Sequence, residues 1–280
     1  MLDRAASAAL FVCDFRMKIL GILNITEDSF SDGGKFLAPE AALAQGRALL
    51  KDADILDLGA ASSNPDSKPV PVETEIARLR SVLAPLKAEG AVISIDSFAP
   101  PVQRWALSQG VDYLNDIHGF AEPELYPELA AANAKLIVMH AVLARGIATR
   151  DHVPPGEICD RAVAFFERRI AALTEAGIAR ERLILDPGMG FFVGSDPENS
   201  LTLLRSLPGL KARFGLPVLV SVSRKSFLRK LTNRAPDEAG AASLAAELWA
   251  VAKGADYIRT HAPGPLRDGV KILKAIGNSR

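Results

Sequence analysis

Short apolar runs rich in β-branched residues recur about eight times along this chain, and they alternate with longer stretches of helical periodicity. Repeated units of this kind place their strands parallel to one another, and eight of them make a closed barrel of about 250 residues. The 280-residue chain therefore predicts an α/β fold, a (β/α)8 TIM-type barrel in a single domain over residues 17–280. The predicted strands are residues 18–23, 54–58, 92–95, 113–114, 135–139, 183–185, 218–222 and 257–258.

The stretches between the strands predict helices at 39–51, 72–87, 101–108, 158–176, 197–207 and 241–252, with a closing helix at 266–275. Glycines that follow a helical run are typical left-handed C-caps, and four of them occur here: Gly90, Gly110, Gly177 and Gly254. Residues 1–16 contain an apolar run far shorter than a bilayer span. We interpret them as an N-terminal extension before a second methionine, Met17.

Charge and cysteine content exclude several classes of protein. The 33 basic and 33 acidic side chains balance, so no overall field attracts nucleic acid or an anionic membrane. Cys13 and Cys159 lack the spacing of a structural metal site or a disulfide framework. We therefore expect a cytoplasmic protein that acts on small molecules.

Polar residues interrupt the pattern at one place in each repeat, directly after the apolar strand. In a parallel barrel these positions converge on the C-terminal face, where the active sites of this fold lie. A single Asp or Asn there is typical of a helix N-cap, but a polar side chain after every strand indicates one shared site. The residues are Asn24, Asp57, Asp96, Asn115 with Asp116, His140, Asp186, Ser223 with Arg224 and Lys225, and Arg259 with His261.

The most specific segment is GILNITEDSFSDGG, at residues 21–34. Asn24 stands at its strand end, before a polar loop with Asp28, Asp32 and paired glycines. Glycines permit unusual backbone angles, and Asn24 offers an oxygen to a hydrated cation. The segment therefore favours a mobile lid over a phosphate-bearing ligand, with a capped surface loop as the alternative.

That segment resembles the signature of dihydropteroate synthases, barrel enzymes of folate biosynthesis that join p-aminobenzoate to a dihydropterin diphosphate. The resemblance extends from about Met17 to the closing helix, and further motifs follow in the family's order and spacing. They are LDLG at 56–59, SIDSF at 94–98, LNDI at 114–117, ILDPGMGF at 184–191, SRKSF at 223–227 and RTH at 259–261.

The resemblance implies a pterin pocket made of Asp96, Asn115, Asp186 and Lys225. A pterin presents adjacent N–H donors, so the carboxylate of Asp186 can accept two charge-assisted hydrogen bonds from it in a water-poor pocket. Asp96 and Asn115 would bind the remaining ring nitrogens. Lys225 would donate to the ring carbonyl and offset one buried carboxylate, although a structural ion pair is the alternative.

The resemblance also implies an anion site for the diphosphate, formed by Asn24, Arg259 and His261, with Mg²⁺ as cofactor and Asn24 as its protein ligand. Side chains two apart on a strand point the same way, so Arg259 and His261 face one ligand. Departure of diphosphate would come first, and the amine of p-aminobenzoate would then attack the pterin methylene. Backbone N–H groups near Ser226 would bind the p-aminobenzoate carboxylate.

The chain departs from the family in the loop after the second strand. Residues 59–66 are GAASSNPD where most members have GGESTRPG, so Ser63 keeps a hydroxyl for substrate and Asn64 stands in place of an arginine. The DPGMG motif is followed by two phenylalanines where many relatives have a Gly-Lys pair. These departures resemble the sulfonamide-insensitive branch, which predicts reduced sulfonamide sensitivity, with Phe192 or Phe227 obstructing the drug.

Two alternatives stay open at this point. A pterin-dependent methyltransferase barrel would share the pocket but would have no use for Arg259 and His261. A catalytically silent pterin-binding paralogue would fit the altered second loop. In either case the family resemblance implies a homodimer that assembles through the outer helices.

Overall fold

The structure is a computed structural model that describes residues 17–25, 39–61, 69–143 and 152–277. These residues contain eight parallel strands in the order β6-β5-β4-β3-β2-β1-β8-β7. A bridge between Leu185 and Val218 joins the two ends of the sheet and closes the barrel, so the predicted fold is confirmed. The strands are β1 (Lys18–Asn24), β2 (Ile55–Gly59), β3 (Ile93–Asp96), β4 (Tyr113–Asp116), β5 (Lys135–Met139), β6 (Leu183–Asp186), β7 (Leu219–Val220) and β8 (Tyr257–Thr260).

Helices surround the barrel, and the described ranges contain nine α-helices. Short 3-10 helices stand at Pro123–Leu125, Pro155–Glu157, Arg180–Arg182 and Gly190–Val193. Within the described ranges, no helix is both long enough and apolar enough to cross a membrane. The α-helices are α1 (Pro39–Leu50), α2 (Val72–Ala88), α3 (Pro100–Ser108), α4 (Tyr126–Ala131), α5 (Ile158–Glu175), α6 (Pro197–Phe214), α7 (Ser226–Thr232), α8 (Gly240–Ala252) and α9 (Pro263–Gly277).

Two helix predictions were wrong. The prediction ended α6 at residue 207 because proline normally terminates a helix, yet α6 continues through Pro208 to Phe214. The continuation is stabilised by Leu210 and Phe214, which are buried in the core, and by a left-handed Gly215 that caps the end. Helix α4 was missed, since its six residues are too few for a helical pattern to emerge.

The remaining bounds agree with prediction to within a few residues. All four predicted glycine C-caps have a positive φ, between +65° and +88°. The strand predicted at 218–222 is the exception among the strands, because regular pairing is confined to Leu219–Val220. The predicted extension, residues 1–16, lies outside the described residues, as does the loop of the predicted lid from residue 26 onward.

An apolar layer fills the lower part of the barrel. It takes one side chain from every strand except β3, and these side chains form a cluster separate from the core between strands and helices. Packing of this kind makes the barrel interior a solid floor rather than a channel. The members are Leu20, Ile55, Tyr113, Ile137, Ile184, Leu219 and Tyr257.

Candidate active site

A polar layer lies directly above that floor, because side chains two apart on a strand point into the same side of the sheet. A step of two residues from the floor leads from Ile55 to Asp57, from Ile184 to Asp186 and from Tyr257 to Arg259. The same step leads from Tyr113 to Asn115. The period of the strands thus brings charged and amide side chains from distant parts of the chain to the C-terminal mouth of the barrel.

A cleft opens at this mouth. Clefts in which a small number of polar groups converge are typical of small-molecule sites. The lining combines five of the predicted site residues with four apolar side chains and the hydroxyl of Ser221. The lining residues are Asp96, Asn115, Ile117, Met139, Asp186, Met189, Phe192, Ser221, Lys225 and Arg259.

Arg259 connects the two carboxylates on one side of the cleft. Its Nε donates to Asp57 Oδ2 at 2.5 Å and its Nη2 donates to Asp96 Oδ2 at 2.6 Å. The Asp57 side chain has no exposed surface, and the Arg259 side chain is 13% exposed. Burial lowers the pKa of Arg259, but the neighbouring carboxylates of Asp57 and Asp96 outweigh this effect and raise that pKa, so the guanidinium stays charged.

Asp57 is the site residue that sequence reasoning missed as a functional group. It also accepts a long hydrogen bond of 3.4 Å from Asn115 Nδ2, so it joins Arg259 to the predicted pterin pocket. Its signal was present in the LDLG motif, where one acid stands among apolar residues two positions after Ile55. An acid on the inward face of a barrel strand requires a buried cation, and Arg259 supplies it.

Asp186 and Lys225 occupy the other side of the cleft. Asp186 ends β6, is 2% exposed, and accepts the Gly188 N–H at 2.8 Å. Burial raises the pKa of Asp186 to about 6, while the Gly188 N–H and the charge of Lys225 oppose that rise. Burial, followed by repulsion from Arg259, lowers the pKa of Lys225 to about 8.

The turn after Asp186 depends on Gly188, whose φ is +76°. A Cβ at this position would lie 2.2 Å from the carbonyl oxygen of His140, so only glycine fits. In the same turn, the Pro187 carbonyl oxygen lies 2.9 Å from Nδ1 of His140. Burial lowers the pKa of His140 to about 4, which leaves a neutral ring that supports the turn and does not line the cleft.

The ammonium group of Lys225 lies 4.7 Å from the centre of the Phe192 ring. A cation over an aromatic face is attracted by the ring's electron density, so Phe192 fixes the end of the lysine side chain. Phe192 itself is anchored by its carbonyl oxygen, which accepts the Val142 N–H at 2.9 Å. Phe227, in contrast, is 2% exposed and belongs to the core between strands and helices.

The carboxyl group of Asp96 is a quarter exposed, at the end of β3. Burial raises its pKa and the charge of Arg259 opposes the rise. The cleft and the polar layer around it therefore contain three acids, Asp57, Asp96 and Asp186, and two cations, Arg259 and Lys225. This surplus of carboxyl groups suits a ligand that presents several N–H donors.

His261 follows β8 and lies one step above Arg259. Its Nδ1 is 3.0 Å from the Ser223 hydroxyl, which also accepts the His261 backbone N–H at 3.2 Å. Burial, then the charges of Arg259, Arg224 and Lys225, lower the pKa of His261 to about 3. His261 is therefore a neutral hydrogen-bonding group at neutral pH.

The other predicted site residues lie around this centre, apart from Ser63, which is outside the described residues. Asn24 ends β1 beside Gly59, and its Oδ1 would be 3.5 Å from a Cβ built there. Asp96 flanks the same glycine at 3.8 Å. Ser226 begins α7, is 9% exposed, and places its hydroxyl 3.1 Å from a Cβ built on Gly190.

The chain is similar to known proteins along nearly its whole length. A family model described as "Pterin binding enzyme" matches residues 20–261. The chain is 60% identical over 259 residues to "Dihydropteroate synthase type-2" of Escherichia coli, covering 92% of this chain and 95% of that protein. The Xanthomonas albilineans dihydropteroate synthase with 4-aminobenzoic acid has a TM-score of 0.86 at 35% identity, covering 95% of this chain and 94% of that one. The same enzyme in complex with 7,8-dihydropteroate has a TM-score of 0.82 at 34% identity, covering 95% of each chain.

Proposed function

The chain belongs to the dihydropteroate synthase family, and on that premise we propose how its residues divide the work of the reaction. The reaction condenses 6-hydroxymethyl-7,8-dihydropterin diphosphate with p-aminobenzoate to give 7,8-dihydropteroate and diphosphate. The observation that carries the assignment of roles is the single cleft shared by Asp96, Asn115, Asp186, Lys225 and Arg259.

The pterin ring binds between Asp186 and Lys225. The carboxylate of Asp186 accepts two N–H groups of the aminopyrimidinone edge, and Lys225 donates to the ring carbonyl and an adjacent nitrogen. Asp96 and Asn115 bind the remaining ring nitrogens. The apolar faces of Met139 and Phe192, both buried, exclude water from these bonds and so strengthen them.

Arg259 and His261 bind the diphosphate. The bonds to Asp57 and Asp96 use two of the five N–H donors of the guanidinium, so donors remain for phosphate oxygens. The carboxylates also fix the plane of the guanidinium before the ligand arrives, which lowers the cost of ordering it. His261 adds a neutral donor, because Nδ1 is occupied by Ser223 and the other ring nitrogen is left for the ligand.

Mg²⁺ fits the residues at this mouth of the barrel. Magnesium bound to phosphates takes only one or two oxygens from the protein, and Asn24 offers an amide oxygen at the end of β1, next to Asp96. No group of three or more His, Cys, Asp or Glu within the described residues is suited to hold a metal by itself. When bound through Asn24 and the diphosphate, the ion would neutralise negative charge on the leaving group.

The chemistry needs no protein nucleophile. The bond between the pterin methylene carbon and the diphosphate oxygen breaks, and its electron pair leaves with the diphosphate, which Arg259 and His261 stabilise. The carboxylates of Asp96 and Asp186 stabilise the cationic pterin that remains. The amine of p-aminobenzoate then forms the new C–N bond and loses one proton to solvent. Ser226 and Ser63 are proposed to hold the p-aminobenzoate.

The test is turnover by the purified protein with dihydropterin diphosphate, p-aminobenzoate and Mg²⁺. Formation of dihydropteroate with equal release of diphosphate is expected. Binding of the pterin without release of diphosphate would instead identify a silent pterin-binding paralogue and refute the roles given to Arg259 and His261.

Reduced sulfonamide sensitivity is a second part of the proposal. It is supported by the altered second loop and by the position of Phe192 in the cleft, where its backbone and ring are both held. Phe227 is the weaker candidate because it packs in the core. A sulfonamide carries a tetrahedral group and a substituent beyond the compact carboxylate of p-aminobenzoate, so a rigid ring near that end rejects the drug and spares the substrate.

A homodimer through the outer helices is the third part. Trp249 on α8 is 48% exposed, and Ile272 and Ile276 on α9 are 60% and 58% exposed. Helices α8 and α9 pack against each other, and we propose that these side chains contribute to one interface. Exposed apolar patches are typical of protein interfaces. A cytoplasmic location, predicted from the isolated cysteines, stays a prediction.

A further inference from the structure

A buried acid stands behind the anion site. Glu247 lies on the inner face of α8, is 1% exposed, and has one carboxyl oxygen, Oε1, without a hydrogen-bond partner. The carboxyl group is within hydrogen-bonding reach of the Thr260 hydroxyl on β8. An acid that is neither exposed nor paired with a cation costs stability, so a buried glutamate of this kind calls for a functional reason.

A chain of hydroxyl groups connects this acid to His261. The Thr260 hydroxyl lies 3.5 Å from the Ser223 hydroxyl, and the Ser223 hydroxyl lies 3.0 Å from His261 Nδ1. Thr260 is fully buried and Ser223 is 4% exposed, so water does not compete along the path. Glu247 thus reaches the anion site through two side chains.

With a proton on Glu247, counting donors and acceptors gives one direction for these bonds. The Ser223 oxygen accepts the His261 backbone N–H at 3.2 Å, and its second lone pair accepts the Thr260 hydroxyl, so its own proton goes to His261 Nδ1. The Thr260 oxygen accepts the Ala262 N–H at 3.1 Å, and its second lone pair is left for Glu247. The chain is complete only when Glu247 carries a proton and donates it.

We propose that Glu247 is a positioning residue for the reaction, which acts through Thr260 and Ser223 to keep His261 in the tautomer whose Nε2–H faces the leaving diphosphate. The inference rests on the proposed function only in taking diphosphate as the ligand that His261 faces. A proton on Nδ1 instead of Nε2 would turn the lone pair of Nε2 toward an anion and repel it.

Loss of the Glu247 proton reverses the chain. The Thr260 hydroxyl then donates to the carboxylate, and the lone pair freed on Ser223 can accept a proton from Nδ1 of His261. Burial raises the pKa of Glu247 to about 7, so the reversal falls in the neutral range. The charged groups that approach the chain, Arg259, Arg224 and Lys225, are all on the His261 side and keep that ring from acquiring a second proton.

The first experiment measures the tautomer itself in the ligand-free protein. Two-bond ¹H–¹⁵N correlation spectra at pH 6 to 9, with His261 assigned from a His261→Gln variant, are expected to show Nε2–H at pH 6 and a shift toward Nδ1–H with a midpoint near 7. In Glu247→Gln the amide donates to Thr260 at every pH, so His261 should stay Nε2–H throughout. An Nδ1–H tautomer at pH 6, or the same titration in Glu247→Gln as in the unaltered protein, would overturn the proposal.

The second experiment measures turnover against pH. The alkaline limb should move from about 7 in the unaltered enzyme to about 8, where Lys225 titrates, in Glu247→Gln. Thr260→Val breaks the chain and should lower kcat about twofold to tenfold, the effect of one neutral hydrogen bond, with the KM for p-aminobenzoate unchanged. Thr260→Ser keeps the hydroxyl and is the matched control, expected to retain the full rate. Equal loss in the Ser and Val variants would show a purely structural role and refute the relay. Because the spectra need no substrate, a failure of the proposed reaction would remain distinguishable from a failure of the relay.

Discussion

Replacing Asp186 with asparagine should make the protein more stable and at the same time impair pterin binding. Asparagine keeps the shape of the side chain and the oxygen that accepts the Gly188 N–H. It removes the negative charge from a residue that is only 2% exposed. The carboxylate charge serves binding but is disfavoured by the fold, so the substitution separates its effect on stability from its effect on pterin binding.

The size of the stability change follows from the pKa. Burial raises the pKa of Asp186 from 3.8 to about 6, so the folded protein holds this proton more tightly than the unfolded chain does. Stability is then greatest below the unfolded value and is lost as pH rises from about 4 to about 6. A difference of about two pKa units corresponds to about 3 kcal/mol at pH 8, or a rise in Tm of roughly 6–12 °C for a chain of this size.

The assay is thermal unfolding of the ligand-free protein at pH 4 to 8, monitored by circular dichroism, together with calorimetric titration with a pterin. Asp186→Asn should gain stability at pH 8, lose the gain near pH 4, and bind pterin at least tenfold more weakly, since a buried charged hydrogen bond contributes about 1.5–3 kcal/mol. In the unaltered protein, pterin affinity should fall as pH drops below about 6, because Asp186 then becomes protonated.

A matched control is Asp116→Asn. Asp116 is also buried, but its two oxygens accept the backbone N–H groups of His118 and Phe120, at 2.7 and 2.9 Å. An amide would turn a donor toward one of those donors, so this variant should lose stability and keep its pterin affinity. Loss of stability in Asp186→Asn at pH 8 would refute the burial argument. Unchanged pterin affinity would refute the proposed position of the pterin.

Four further predictions concern the mouth of the barrel and the proposed dimer interface. Lys225→Ala should weaken pterin binding tenfold or more in calorimetric titration, while circular dichroism shows an intact barrel; equal affinity would remove Lys225 from the pocket. Arg259→Ala should lower turnover at least a hundredfold, and excess chelator should abolish the activity of the unaltered enzyme; full turnover with chelator would exclude the magnesium role. Phe192→Gly should increase inhibition by sulfamethoxazole about a hundredfold, a change of about 2.7 kcal/mol, with the KM for p-aminobenzoate little altered. Equal inhibition of both proteins would show that Phe192 does not obstruct the drug. Trp249→Lys should convert a dimer into monomers in light scattering, whereas a monomer before substitution would refute the proposed interface.

The period of two along the strands made much of the site predictable. Asn115, Asp186 and Arg259 each stand two residues after an apolar floor residue, so the alternation that identified the strands also identified which polar groups face inward. Capping glycines and family motifs also located the turns, because backbone angles and strand ends are local properties of the chain. The end of α6 was mispredicted because the packing of Leu210 and Phe214 outweighed the local effect of Pro208.

The sequence by itself determined the barrel, the face that carries the chemistry and the kinds of side chain on it, because these depend on periodicities of a few residues. Only the tertiary structure decided which of those side chains pair. Asp57 and Arg259 are 202 residues apart, and Thr260 and Ser223 are 37 apart, yet each pair is in contact. Closure of the barrel sets these contacts through the register of strands that are distant along the chain. The roles of Asp57 and Glu247 therefore depend on which neighbour the closed barrel supplies to a buried acid.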